Sequence, residues 1–229
     1  MPSADGPTVR LEEIMAKKCI IIGAGDLTVS EILVSEEDYV IAADGGYSYC
    51  KLLGIEPDLI LGDFDSVLEE DAKELAQIYE KDPEKVIVLP VEKDETDMLA
   101  AIHAGLEEGC REFHLYACQG GRLEHTIANI QCLNYLKECG AVGYMMDGTG
   151  MILVAKNETV SFQPGLEGML SLFSLGERAE GVTIQNMKYE LQDAVITNSF
   201  PIGISNEFIQ EKASITVKNG TLVIIVTWG

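Results

Sequence analysis

The chain is 229 residues long and 47% hydrophobic, enough to build one large or two small cores, and its 24% of charged residues excludes wholesale disorder. Its 38 acidic residues against 16 basic ones leave a net charge of -22. Such a surface repels nucleic-acid phosphates and anionic lipid heads, so neither a nucleic acid nor a membrane is an expected partner, and a polyanionic substrate would need bound cations or a local basic, amide-rich site.

The opening MPSADGPTVRLEEIMAKK has no apolar signal core, and residues 1–17 read as an N-terminal extension. No stretch approaches the ~20 apolar residues that span a bilayer. Cys19, Cys50, Cys110, Cys118, Cys132 and Cys139 are scattered, without CxxC pairs or metal-ligand spacing. They read as reduced thiols of a cytoplasmic protein.

From residue 18 the chain alternates short apolar runs with helical patterns. KCIIIG (Lys18–Gly23), DYVIAAD (Asp38–Asp44), DLILGD (Asp58–Asp63), KVIVLP (Lys85–Pro90), EFHLYA (Glu112–Ala117) and VGYMMD (Val142–Asp147) predict strands buried on both faces. Between them, 68–80, 95–109 and 124–140 predict helices; in the last, Ile127, Ile130, Leu133 and Leu136 recur every third residue as one apolar side. This alternation predicts an α/β domain over 18–147, an open, mostly parallel sheet with flanking helices. From 148 to 229 the texture becomes short strand-like segments separated by Gly, Pro and Asn, which predicts an antiparallel β-sandwich. Asn219-Gly220 predicts a type I′ hairpin turn between the last two strands.

The chemistry lies in where the acids fall. Asp44 closes the second strand in A-A-D-G-G, and Asp63 and Asp65 close the third in L-G-D-F-D-S. Asp94 and Asp97 follow the fourth in D-E-T-D, and Glu124 follows the fifth in G-G-R-L-E-H. In an open parallel sheet the C-terminal strand ends share one edge, so these acids are carried to a common rim. Singly, each has a plainer reading as a turn residue or a helix cap. Asp63 with Asp65 is harder to explain that way: in an extended chain they share a side about 6.5 Å apart. Their repulsion there is on the order of 2–3 kcal/mol, which a divalent cation would reverse. An all-oxygen set suits Mg²⁺, which bridges carboxylates and substrate phosphates. Gly120-Gly121 before a helix offers backbone N–H groups to an anion, and Arg122 can fork onto a phosphate. His125 lies beside them, whereas His103 and His114 read as structural. Gly23-Ala24-Gly25-Asp26 fails the GxGxxG spacing, and a Walker A pattern is absent.

The residues alone thus reach an α/β, Mg²⁺-dependent, phosphate-handling enzyme. The blocks Ala42–Gly46, Pro57–Ser66, Asp94–Asp97, Gly120–Asn129 and Ile204–Glu207, in that order, resemble the thiamine pyrophosphokinase family. Beside that resemblance, a metal-dependent nucleotide or phosphate-ester hydrolase with the same rim, and a non-catalytic nucleotide- or thiamine-diphosphate-binding sensor, remain open. The resemblance implies an α/β catalytic domain, a thiamine-binding and dimerisation β-sandwich, and a homodimer with substrate sites at the subunit interface. It also implies the reaction: the hydroxyl of thiamine attacks the β-phosphorus of ATP, giving thiamine diphosphate and AMP. By the same resemblance Asp63, Asp65 and Asp97, with Asp94 close by, are the catalytic and Mg²⁺-positioning acids. Asp44, Gly45, Gly46, Ser66, Thr96, Gly120, Gly121, Arg122 and His125 fall at nucleotide-contacting positions, and Ser205 and Asn206 at thiamine-contacting ones. Glu124 stands where the family usually has Asp in the metal-ligand set, its carboxylate carried outward by roughly 1.5 Å.

Overall fold

Six short apolar strands of the first unit pair side by side in one parallel sheet. They are β1 (Cys19–Ile22), β2 (Tyr39–Ala43), β3 (Leu59–Gly62), β4 (Val86–Val88), β5 (Glu112–Tyr116) and β6 (Val142–Asp147), in the order β6-β5-β1-β2-β3-β4. The computed structural model describes residues 18–65 and 69–229, in two units that divide between Gly148 and Thr149. The N-terminal extension of residues 1–17 and Ser66 lie outside the described residues.

Four helices connect these strands: α1 (Gly46–Leu53), α2 (Glu69–Lys81), α3 (Asp97–Glu107) and α4 (Leu123–Glu138). β1 and β3 are buried at every position, as strands covered on both faces must be. Ile20, Ile22, Val40, Ala42, Ile60 and Val86 gather with Tyr47 and Cys50 of α1 and Leu75 of α2 into one core cluster. α3 packs on β1, β2 and β3 and so carries the chain back across the sheet toward β5. In α4 the buried stripe is Asn129, Cys132, Leu133 and Leu136, while Ile127 is 51% exposed. A strict three-residue spacing falls short of a full helical turn and drifts about 60° per step, so Ile127 and Leu136 end on opposite sides.

The second unit is a sandwich of two four-stranded antiparallel sheets. One holds β7 (Gly150–Lys156), β14 (Thr221–Trp228), β9 (Gly168–Ser174) and β12 (Gly203–Glu207), in that order. The other runs β11 (Leu191–Thr197), β10 (Arg178–Gln185), β13 (Ala213–Thr216) and β8 (Thr159–Phe162). Leu170, Leu172, Leu222, Ile224 and Val226 of the first sheet are buried, as are Ala179, Val182, Ile184 and Ile215 of the second. The hairpin expected at Asn219-Gly220 does not form, because β13 and β14 belong to different sheets. Asn219 instead bridges Glu180, and its φ is not among the positive ones. β14 gains paired neighbours on both flanks, β7 and β9, which outweighs a local turn preference.

Candidate active site

The C-terminal ends of β2 and β3 approach unusually closely. The Asp44 amide donates to the Leu61 carbonyl at 2.8 Å, and a Cβ on Gly62 would meet the Asp44 Cα at 2.9 Å. Gly62 is therefore required by contact. Asp44 itself adopts φ 51°, a left-handed conformation that carries strain for a residue with a Cβ. Its Oδ1 is buried and has no hydrogen-bond donor. Burial raises its pKa above the ordinary carboxylate range; the Gly45 amide opposes this, while the charges of Asp97, Asp63 and Asp65 add to it. Three acids from two other loops thus act on Asp44, which bears the electrostatic cost.

The D-F-D segment is not extended. Phe64 is left-handed, with φ 56°, and the chain turns there so that the Asp63 carboxylate accepts the Asp65 amide at 3.2 Å. The turn keeps Asp63 at the rim as a half-buried group and leaves Asp65 exposed. Between Asp63 and Asp97 lies a residue the motif reading passed over, Lys93. Its Nζ is 3.1 Å from Asp97 Oδ1, 3.7 Å from Asp63 Oδ2 and 3.2 Å from the Pro90 carbonyl, with only 16% of the side chain exposed. The ammonium contact to Asp97 Oδ1 is the shortest of the three, so this buried oxygen is satisfied by a positive charge. The Lys93 pKa is nevertheless raised: burial, the largest influence, opposes the charge, and the Asp97 and Asp63 carboxylates more than reverse it. The signal for Lys93 was available in V-E-K-D-E-T-D, a lone cation four residues before an aspartate.

The remaining D-E-T-D residues divide by role. Thr96 caps α3, its hydroxyl accepting the Leu99 amide at 3.2 Å, while Asp94 is exposed. Asp97 begins the helix, where the macrodipole favours a carboxylate. Gly45 is the residue before α1 and Gly46 its first residue, so both lie directly after Asp44.

The strand order reverses around β1, and the loops after β1 and β5 meet there. Gly23, Gly25 and Asp26 donate backbone hydrogen bonds to Tyr116, Ala117 and Gln119 at 2.9, 2.7 and 2.7 Å. Gly120 has φ 83°, and a Cβ there would collide with the Asp26 carboxylate, so glycine is required on both counts. Gly121, Arg122, Glu124 and His125 follow at the start of α4, all exposed. Arg122 Nε donates to Glu124 Oε1 at 2.7 Å, with 71% and 65% of the two side chains exposed. Of the candidate acids, Asp63 and Asp97 are the two that share a cation, the Lys93 ammonium, and Glu124 is turned to Arg122. Among the described residues no three His, Cys, Asp or Glu side chains already form a metal cage. His103 bonds Tyr135 and Glu95, and His114 bonds Glu112.

Ser205 and Asn206 lie in the second unit, on β12. Ser205 is exposed and left-handed, with φ 57°, at a register shift against β9. Asn206 is 5% exposed and fully engaged. Its Oδ1 accepts the amides of Tyr189 and Glu207 at 2.9 and 3.0 Å, and its Nδ2 donates to the Tyr189 carbonyl at 2.7 Å. Asn206 thus fixes the segment that presents Ser205.

A family profile described as "Thiamin pyrophosphokinase, catalytic domain" matches residues 30–142, and a second, "Thiamin pyrophosphokinase, vitamin B1 binding domain", matches residues 154–222. The chain is 27% identical over 193 residues to a thiamine pyrophosphokinase of Bacillus subtilis (strain 168), covering 81% of this chain and 85% of that one. It is also similar to the crystal structure of a thiamin pyrophosphokinase from Geobacillus thermodenitrificans, with a TM-score of 0.79, 27% identity and coverage of 92% and 97%. The yeast thiamin pyrophosphokinase structure, at 16% identity, shares the fold with a TM-score of 0.73 over 95% of this chain and 88% of that one.

Proposed function

The chain belongs to the thiamine pyrophosphokinase family and transfers the pyrophosphoryl group of ATP to thiamine, and we propose that it does so with Mg²⁺ held at the acid rim of the first unit. The observation that supports this most is Asp44, whose buried Oδ1 lacks a donor and whose pKa the charges of Asp97, Asp63 and Asp65 help to raise. A purely structural site gains nothing from such an arrangement, whereas a hard cation satisfies it with oxygen ligands. The position of Lys93 between Asp63 and Asp97 gives the same preference for positive charge.

In this reading Asp63 and Asp97 hold the cation, Asp44 and Asp65 add to its field, and Asp94 and Glu124 lie further out. When bound, Mg²⁺ offsets the charge of the triphosphate. Gly45, Gly46, Ser66, Thr96, Gly120, Gly121, Arg122 and His125 contact the nucleotide, with Arg122 exchanging Glu124 for a phosphate. Ser205, held in place by the buried Asn206, presents a polar edge to thiamine, and the acidic field draws that cation in. The thiamine hydroxyl oxygen bonds to the β-phosphorus, the bond from that phosphorus to the α,β-bridging oxygen breaks, AMP leaves with the bridging oxygen and the hydroxyl proton is released. The protein's work is positioning and charge neutralisation.

The same family reading makes the protein a cytoplasmic homodimer. The exposed apolar side chains Met169 and Phe173 of β9, and Ile202 and Ile204 at β12, support a face covered by a second copy. The six scattered cysteines, without CxxC pairs, support a reducing compartment.

Incubation with ATP, Mg²⁺ and thiamine should give AMP and thiamine diphosphate in equal amounts by chromatography. Asp63→Asn should lower kcat by about 10²–10³-fold with the fold intact. ADP with thiamine monophosphate, or phosphate release independent of thiamine, would contradict the reaction; near-normal turnover in Asp63→Asn would contradict the metal assignment.

A further inference from the structure

Lys93 is hard to account for as an ordinary surface ion pair. An exposed lysine usually makes one loose contact and keeps its ammonium in water. Here three oxygens from three places, the Pro90 carbonyl, Asp63 and Asp97, lie within 3.7 Å of a nitrogen whose side chain is only 16% exposed. An ammonium has three N–H groups and no acceptor, so this all-oxygen surround is the one it shares with a small hard cation. Asp63 comes from the turn after β3, Asp97 from the first residue of α3, and Lys93 from the loop between β4 and α3. The position is therefore built by the fold and not by local helix spacing alone.

Resting on the Mg²⁺ reading above, we propose that Lys93 is a tethered placeholder for the divalent cation. In the metal-free protein it neutralises Asp63 and Asp97, and it competes with the metal for them. Without it, Asp63 and Asp97 would lose the one cation within 3.7 Å of both, in a rim whose charges already act on Asp44. With it, the rim is held together, and metal entry requires the ammonium to leave its two carboxylates. The long, flexible lysine stem allows that movement. The displaced charge then lies beside the rim, where it can pair with phosphate oxygens of an arriving nucleotide. Lys93 is thus a positioning residue that sets a threshold on metal binding and links release of the carboxylates to arrival of the nucleotide.

The test is the affinity of the nucleotide-free protein for Mn²⁺, read from the free-ion electron paramagnetic resonance signal. Lys93→Met should bind Mn²⁺ at least tenfold more tightly than the unsubstituted protein, because a competing positive charge is gone. Lys93→Gln should move in the same direction, and Lys93→Arg, which keeps the charge, should not; circular dichroism checks the fold of each. Asp63→Asn should weaken Mn²⁺ binding in both the unsubstituted and the Lys93→Met backgrounds. Affinity unchanged or lowered in both neutral variants, with Asp63→Asn still weakening binding, overturns the placeholder role and leaves the metal reading standing. Mn²⁺ binding indifferent to Asp63→Asn in both backgrounds overturns the metal reading, and the placeholder role with it.

Discussion

Asp44 and Asn206 each belong to a bend at or near the end of a strand, beside or within a left-handed residue, yet their polar atoms fare oppositely. Asn206, in the sandwich, has its side-chain oxygen and nitrogen both paired to backbone groups of Tyr189 and Glu207. Asp44, on the parallel sheet, keeps one buried oxygen without a donor and faces three like charges. Both residues lie in blocks that mark the family. One holds its unit together, and the other is held against its own preference by the unit around it. Such unrelieved polar groups are where a bound species has most to contribute.

The contrast can be broken by two substitutions with opposite signs. Asn206→Ala has the larger effect: it strips partners from two amides and one carbonyl at a buried corner, a loss of about 2–3 kcal/mol. Thermal unfolding should fall by about 5–10 °C, with Mn²⁺ affinity unchanged. A loss below 1 °C would mean that Asn206 is not the structural tie its bonds describe. Asp44→Asn has the smaller effect and the other direction. Because the native Asp44 pKa is raised above the ordinary 3.8, the folded protein holds this proton more tightly than the unfolded chain does. The stability contributed by protonated Asp44 is complete below that ordinary value and is lost as pH rises through the raised one. At neutral pH the carboxylate is thus a net cost. In metal-free protein Asp44→Asn should raise the unfolding temperature by a few degrees at most, less than the loss in Asn206→Ala. The gain should vanish in acid; destabilisation at neutral pH would contradict the strain assigned to Asp44.

The two units were also unequally legible in the sequence. In the first, short β-branched runs separated by helical stretches fixed a parallel sheet, and that alone placed the acids of separate loops at one edge. In the second, the strand pattern gave the sandwich, but pairing partners were set by burial, so the Asn219-Gly220 turn became a crossing between sheets. Side-chain detail was legible least. The extended geometry drawn for Asp63 and Asp65 ignored that Phe64 could turn left-handed, and the turn is stabilised by Asp63 accepting the Asp65 amide. The three-residue rhythm of α4 misplaced Ile127 because the helical period is longer than three. Lys93 stood in plain view next to the D-E-T-D block. Its meaning depended on β3 delivering Asp63 to the same spot, a contact across some thirty residues that no local pattern encodes.

The account rests on Asp63 and Asp97 being the pair that takes the divalent ion. Crystals grown with Mn²⁺ and a non-hydrolysable ATP analogue, measured for anomalous scattering, address this directly. The expected result is a peak coordinated by Asp63 and Asp97, with the Lys93 ammonium moved off both carboxylates. A peak elsewhere on the nucleotide, with Lys93 still seated between the two aspartates, would contradict it.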